Sequence, residues 1–160
     1  TKVRYQKTME DGSEKVVTEI YLVDALSFTE AESAITDEMS VYVSGEFQVS
    51  GIAKAAYNEV FFSDVDDDDK WYKAKLQFIT IDEKTEKEKR STVNYLVQAK
   101  SLARALRYVD EEMGKTMIDY DTIGLNETNL MDVFEHQAPN KEEKNDVPEY
   151  EQGNAEQPAE

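Results

Sequence analysis

The stretch Tyr21-Leu22-Val23-Asp24-Ala25-Leu26-Ser27 occurs a second time in the chain, as Tyr95-Leu96-Val97-Gln98-Ala99-Lys100-Ser101. The agreement continues at the same spacing with Ala31 and Ala105, Ile35 and Val109, and Met39 and Met113. Upstream of it, Lys2-Val3-Arg4-Tyr5 aligns with Lys73-Ala74-Lys75-Leu76. Downstream, after a slip of one residue, Asn58-Glu59-Val60-Phe61 aligns with Met131-Asp132-Val133-Phe134. We interpret this pattern as an internal duplication, in which two copies of one small unit bury their apolar faces against each other.

Each copy has the pattern of a β-β-α-β-β unit, which predicts an α+β fold. Alternating apolar residues flank Asp11-Gly12, a dipeptide typical of a hairpin turn. Ser27 and Glu30 form a capping box, and Ser101 takes the capping position in the second copy. The predicted buried stripes are Phe28, Ala31, Ile35 and Met39 on the first helix, and Leu102, Ala105, Leu106, Val109 and Met113 on the second. The predicted elements are strands 2–8, 15–23, 46–54 and 57–62 with helix 28–43, then strands 71–81, 90–98, 118–123 and 129–134 with helix 102–113.

The chain divides into four segments. Residues 1–62 are the first repeat and residues 71–134 the second, and we expect them to form a pseudo-symmetric pair. Residues 63–70 read as an acidic linker. Its alternating aspartates resemble a calcium loop, but Asp69 stands where glycine is needed and Lys75 where a glutamate is needed. Residues 135–160 have almost no apolar side chains and predict a disordered acidic tail.

Composition indicates a soluble globular protein of 160 residues without a membrane-length apolar run. The absence of cysteine excludes disulfides, thiolate metal sites and a cysteine nucleophile. The lack of a signal-like apolar segment favours the cytosol.

The net charge of −17 is unevenly distributed. Residues 1–69 hold 5 Lys/Arg against 16 Asp/Glu, residues 70–115 hold 11 against 7, and residues 116–160 hold 2 against 12. A basic segment therefore lies between two acidic ones. It indicates either a local anion-binding face or an ordinary part of an acidic surface that keeps the protein monodisperse.

Catalysis finds little support in the sequence. The sole histidine, His136, lies at the start of the predicted tail, and the six glycines form no phosphate-binding or nucleophile-elbow motif. We expect a protein that is not an enzyme and that uses no cofactor and no metal.

The two predicted helices differ most in charge. Where the first carries Leu26, Glu30 and Ser33, the second carries Lys100, Arg104 and Arg107, spaced along one face. We expect these three cations to be dispensable for the core. Cations interleaved with aromatic residues suit a single-stranded nucleic acid, because the cations follow the phosphates while the rings stack on bases. The predicted interface comprises Trp71, Tyr72, Lys73, Lys75, Lys87, Lys89, Arg90, Lys100, Arg104 and Arg107. The alternative is that the aromatics belong to the core and the cations pair with nearby acids.

Three stretches of the sequence carry a resemblance to a known family. They are the segment from Tyr21 to Glu32, Ser44-Gly45-Glu46-Phe47, and Trp71-Tyr72-Lys73. Together they resemble an uncharacterised family, a domain of unknown function, of small acidic proteins from Bacteroides-type bacteria and crAss-like phages. The resemblance spans about residues 2–134 and implies a phage- or mobile-element-associated role in DNA handling or host interaction.

Two functional hypotheses follow from the sequence. The first is a non-catalytic, cytoplasmic protein that binds single-stranded DNA through the second repeat, with an acidic tail that competes for the same face. The second is an acidic protein-interaction module, such as an inhibitor, a DNA mimic or a virion component, whose acidic surface or tail meets a protein partner. Neither hypothesis involves a membrane.

Overall fold

The computed structural model describes residues 1–136, which form two four-stranded sheets and two helices. The strands are β1 (Lys2–Thr8), β2 (Glu14–Val23), β3 (Phe47–Gly51), β4 (Glu59–Phe61), β5 (Lys70–Ile81), β6 (Glu88–Ala99), β7 (Asp119–Glu127) and β8 (Leu130–Phe134), and the helices are α1 (Phe28–Tyr42) and α2 (Leu102–Gly114). The predicted α+β class is confirmed.

Local sequence signals account for the turns and the helix starts. Gly12 has φ +82°, which the tight turn between β1 and β2 requires, and Met9 N donates to Ser13 O at 2.7 Å. The hydroxyl of Ser27 accepts a hydrogen bond from Glu30 N, and the hydroxyl of Ser101 accepts one from Arg104 N. Each serine satisfies a backbone donor that the first helical turn leaves free.

Each helix covers one face of one sheet. Ile35 and Met39 of α1 form a core cluster with Val3 and Tyr21 of the first sheet. The corresponding cluster of the second sheet is larger and consists of Tyr72, Ala74, Leu76, Val97, Ala99, Ala105, Val109 and Met113. The predicted stripes were too wide, because Phe28, Leu102 and Leu106 are exposed. Only the side chains three or four positions apart on the inner line of each helix reach the sheet.

The two sheets exchange strands. Their orders are β3-β1-β2-β8 and β4-β6-β5-β7. The last strand of the first half, β4, pairs in parallel with β6, and the last strand of the chain, β8, pairs in parallel with β2. Both halves have the same order of elements, but the internal duplication and the repeat boundaries at residues 62 and 71 stay predictions.

This exchange connects the two cores through side chains. The Phe134 ring of β8 stacks on Tyr21 of β2 with centroids 5.7 Å apart. On the other side, the Phe61 ring of β4 meets the edge of Tyr95 of β6 at 5.3 Å. Each half therefore supplies an aromatic ring to the core of the other.

Beyond β8, Glu135 and His136 are the last described residues. His136 Nδ1 lies 2.8 Å from Glu30 Oε1 on α1. The rest of the predicted tail, residues 137–160, lies outside the described residues.

Candidate nucleic-acid interface

The predicted basic stripe consists of Lys100 just before α2 and of Arg104 and Arg107 on the helix, and both arginines have acidic partners. Arg104 Nη1 lies 3.2 Å from Asp68 Oδ1. Arg107 Nε lies 3.6 Å from Glu111 Oε1, one helical turn further on. The Arg107 guanidinium also lies 5.6 Å from the centre of the Tyr108 ring. Lys100 is exposed and pairs with no carboxylate of residues 1–136.

Asp68 is a residue that sequence reasoning missed, because it lies in the segment interpreted as a linker. Its side chain is fully buried and accepts hydrogen bonds from Ser63 Oγ, Tyr108 Oη and Arg104 Nη1. Burial acts to raise the pKa of Asp68, but the hydrogen bonds from Ser63, Tyr108 and Arg104 outweigh it, so the pKa lies below its usual value. The same contact with Asp68 raises the pKa of Arg104.

The ion pair therefore corrects the expectation that Arg104 is dispensable for the core. The guanidinium neutralises a buried charge, which would be costly to leave unpaired. A signal was present in the sequence: in the predicted repeat alignment, Tyr108, which donates to Asp68, stands at the position of Ala34.

The two aromatic residues predicted to stack on bases are buried. Trp71 and Tyr72 are each 2% exposed. Tyr72 belongs to the core cluster under α2, and Trp71, on the opposite face of β5, meets the edge of Phe62 at 5.5 Å between ring centres. A base has no access to either ring in this structure, which favours the alternative assignment of these aromatics to the core. The reason is that β5 is a central strand covered on both faces at its start.

Lys73 and Lys75 alternate along β5 with Tyr72, Ala74 and Leu76, which face α2. Since successive strand residues point to opposite faces, both lysines lie on the face of the second sheet away from α2. We call this face, and the equivalent face of the first sheet away from α1, the helix-free faces. Both lysines are exposed, and neither makes an ion pair with a carboxylate of residues 1–136.

The first sheet carries the same arrangement, which sequence reasoning did not include in the interface. Val3 and Tyr5 of β1 face α1, so Lys2 and Arg4 lie on the helix-free face of that sheet. Both are exposed, and within residues 1–136 neither has an ion-pair partner. The alignment of Lys2-Val3-Arg4 with Lys73-Ala74-Lys75 is the signal that could have found them.

The remaining predicted cations lie at the end of the β5–β6 hairpin. Arg90 is opposite Ile79 on the helix-free face, where its Nη1 donates to Gln77 Oε1 at 3.0 Å and approaches Asp121 Oδ2 at 3.4 Å. Lys87 and Lys89 are exposed beside it. The ten predicted residues are thus not one surface. Lys73, Lys75 and Arg90 share a helix-free face, whereas Arg104 and Arg107 lie on α2 on the other side of the sheet, and Lys100 lies just before α2.

The residues that the structure describes are the same ones that a known family covers. A family model matches residues 1–136. The chain belongs to DUF4494, a domain of unknown function. No curated protein and no solved structure matches the chain. The DUF4494 family assigns no activity to any of the residues above, so their role must be argued from geometry.

In the part of the chain that the structure describes, no group of three or more His, Asp or Glu side chains is placed to hold a metal. No helix of residues 1–136 is long and apolar enough to cross a membrane. The cations Lys2 and Arg4 of β1 and Lys73 and Lys75 of β5 are exposed and make no ion pair within residues 1–136.

Proposed function

We propose that this DUF4494 protein binds single-stranded nucleic acid without catalysis, through the helix-free faces of its two sheets. One observation carries the proposal: Lys2 and Arg4 on β1, and Lys73 and Lys75 on β5, are exposed cations that no carboxylate of residues 1–136 neutralises. One inner strand of each sheet, β1 or β5, thus presents a pair of positive charges at matching positions.

These exposed cations contrast with the rest of the molecule, which is mainly acidic. With a net charge of −17, the protein repels polyanions over most of its surface. Paired cations on two central strands repel each other as well, and a row of phosphates would relieve that repulsion. Arg90 lies on the same face as Lys73 and Lys75, but Glu88 and Asp121 both pair with it.

The remaining parts of the proposal follow from the sequence. An acidic tail would compete with nucleic acid for the cations. The family resemblance supports a cytoplasmic role associated with phages or mobile elements. With Trp71 and Tyr72 buried, we assign binding to phosphate contacts and leave base stacking out of the proposed interface.

The test is a titration of the full chain with a fluorescein-labelled oligodeoxythymidine of about 20 nucleotides at two salt concentrations, followed by anisotropy. Phosphate contacts should make the affinity fall steeply with salt, with a log-log slope of about −0.7 for each contact to a single strand. A chain that does not bind the oligonucleotide at low salt would exclude this function.

A second candidate function is an acidic protein-interaction module. The observation that favours it is the charge of the first half, where residues 16–53 hold seven Asp/Glu and no Lys or Arg. Val41 and Tyr42 of α1 are also exposed within this acidic region. A surface of this kind suits a basic protein partner. Binding of a cationic peptide, together with no binding of the oligonucleotide, would favour this candidate over the first.

A further inference from the structure

A groove of about 840 Å³ opens where the first half receives its exchanged strand. It is bounded by the end of β2, the turn before α1, the connection 52–58 between β3 and β4, and the end of β8. The floor is apolar and includes Leu22, Val60 and Val133. None of the four cations of the proposed nucleic-acid interface lines it.

The rim of the groove exposes large apolar side chains to water. Leu26 is 87% exposed, Phe28 is 54% exposed and Phe62 is 46% exposed. All three line the same groove as Leu22, Val60 and Val133. Burying such a surface is favourable in proportion to its area, and clustered exposure of this kind marks interaction sites.

The charges along the groove are mainly negative. Asp24, Glu59 and Glu135 line it, against the single side-chain cation Lys54. Glu30 lies beside this lining on the first turn of α1, where its carboxylate accepts from Leu26 N and contacts His136. A segment that enters the groove should therefore be cationic.

The first turn of α2 corresponds to the first turn of α1 beside the groove, and at α2 a segment of the same chain covers it. There the acidic segment that follows β4 reaches the first turn of the helix, and Asp68 pairs with Arg104. Arg104 and Glu30 are both the third residue of their helix, each donating its backbone N–H to the capping serine. Arg104 is positive at the start of α2, whereas Glu30 is negative at the start of α1. An occupant at the start of α1 should therefore carry positive charge in the place that Asp68 takes at the start of α2.

We propose that this groove binds an extended segment of a partner protein in which apolar and cationic side chains alternate. The apolar side chains lie against Leu26, Phe28 and Phe62, and the cations pair with Asp24, Glu59 and Glu135. Like charge argues against a second copy of this chain as the occupant. It argues equally against residues 137–160, which hold seven Asp/Glu and two Lys. This proposal rests on the second candidate function, the acidic protein-interaction module, and gives that module a defined binding site.

The test uses the full chain and two fluorescein-labelled peptides of about nine residues, one alternating Leu with Lys and one with Gln in place of each Leu. The wild-type chain should bind the Leu-Lys peptide at least about tenfold more tightly than the Gln-Lys peptide. The variant Leu26→Ser/Phe28→Ser should lose that preference. The control Ile81→Ser/Met117→Ser, which removes exposed apolar groups outside both the groove and the acidic region, should keep it.

A second pair of variants tests the charges. Asp24→Asn/Glu59→Gln should weaken the binding of both peptides by about tenfold, as expected when two charge pairs are lost. Glu10→Gln/Asp66→Asn removes the same charge from exposed positions outside the groove and outside residues 16–53, and should leave binding unchanged. The urea midpoint of every variant is measured to show which variants are folded. If Leu26→Ser/Phe28→Ser is unfolded, Asp24→Asn/Glu59→Gln still tests the site.

The remaining outcomes of these experiments would overturn the groove proposal in different ways. If the wild-type chain binds neither peptide, the acidic interaction module fails, and the groove with it. If it binds but neither groove pair changes the affinity, the groove alone fails. Tighter binding after Val147→Ser/Tyr150→Ser would identify the chain's own tail as the occupant. A dimer that Leu26→Ser/Phe28→Ser converts to a monomer in sedimentation would identify a second copy, and either finding overturns the proposal.

Discussion

Arg104 holds the fully buried carboxylate of Asp68, with 3.2 Å between Nη1 and Oδ1. Because Ser63 and Tyr108 also donate to Asp68, the substitution Asp68→Asn disturbs three hydrogen bonds without a change of shape. We expect the free energy of unfolding to fall by about 1–3 kcal/mol, the usual cost of buried polar groups that lose their partners. Urea denaturation followed by far-UV circular dichroism measures it.

The control for this substitution is Asp66→Asn in the same segment. Asp66 is exposed, so the change should stay within about 0.5 kcal/mol. Equal effects of the two substitutions would mean that the burial of Asp68 does not contribute to stability.

The contribution of Asp68 should also depend on pH. The pKa of Asp68 in the folded protein lies below the usual 3.8, because its three hydrogen bonds outweigh the effect of burial. The stabilisation is therefore fully present above the unfolded pKa and is lost as the pH falls through the folded pKa. The difference in unfolding free energy between wild type and Asp68→Asn should be constant above about pH 5 and should shrink in more acidic solution. A difference that already shrinks near neutral pH would point to another titrating group.

The exchanged strands should make the two halves unfold together. Phe134→Ala removes the ring that stacks on Tyr21 in the first sheet, and we expect it to cost about 2 kcal/mol or more. Trp71, the only tryptophan, reports on the second sheet, so its fluorescence transition should shift by the same amount as the far-UV signal. Met117→Ala, at a fully exposed position, serves as the control. Two separate transitions in the variant would show that the halves are independent.

Nucleic-acid binding should depend on both helix-free faces. Lys73→Gln/Lys75→Gln should reduce the log-log salt slope by about 1.4, which is 0.7 for each lost phosphate contact, and Lys2→Gln/Arg4→Gln should do the same. Lys15→Gln/Lys115→Gln removes equal charge elsewhere and should change the slope little. Anisotropy titrations with the labelled oligonucleotide provide the slopes.

The same titration distinguishes the sheet from the helix. Lys100→Gln/Arg107→Gln removes one cation just before α2 and one on α2, the helix that covers the opposite face of the second sheet from Lys73 and Lys75. The slope should then remain as in the wild type. A larger loss from the α2 pair than from the β5 pair would move the interface to the helix.

Removal of residues 137–160 should leave the described fold intact, because the family match and both core clusters end by residue 136. If the tail competes for the cations, the shortened chain should bind the oligonucleotide more tightly, and the gain should be largest at low salt. The measurements are a thermal unfolding curve and the same anisotropy titration. An unchanged affinity would remove the competition.

Much of the local structure could be predicted from the sequence, because it depends on neighbouring residues. Ser27 and Ser101 cap the helices as expected, and Ala31, Ile35 and Met39 are buried as expected. The helix and hairpin bounds differ from the prediction by only one or two residues. The shorter outer strands were predicted too long or too short, because their ends depend on pairing with distant strands.

The candidate site was less predictable. Whether Trp71 is a stacking surface or part of a core depends on what covers its face of β5, and no local pattern contains that information. The burial of Asp68 likewise requires Ser63, Tyr108 and Arg104 to converge from two different elements. Lys73 and Lys75 of β5 were part of the predicted interface, and the alignment of Lys2-Val3-Arg4 with Lys73-Ala74-Lys75 could have added the two cations of β1.

The pairing of β8 with β2 has a consequence for how the protein is made. A ribosome delivers the chain from its amino end, so β1, β2, α1 and β3 emerge long before the strand that completes their sheet. Until residues 130–134 are released, the outer edge of β2 stays open to any other extended segment, including β8 of a neighbouring nascent chain. Crowded polysomes should therefore favour interlocked chains, and slow release of the carboxyl end should increase their yield.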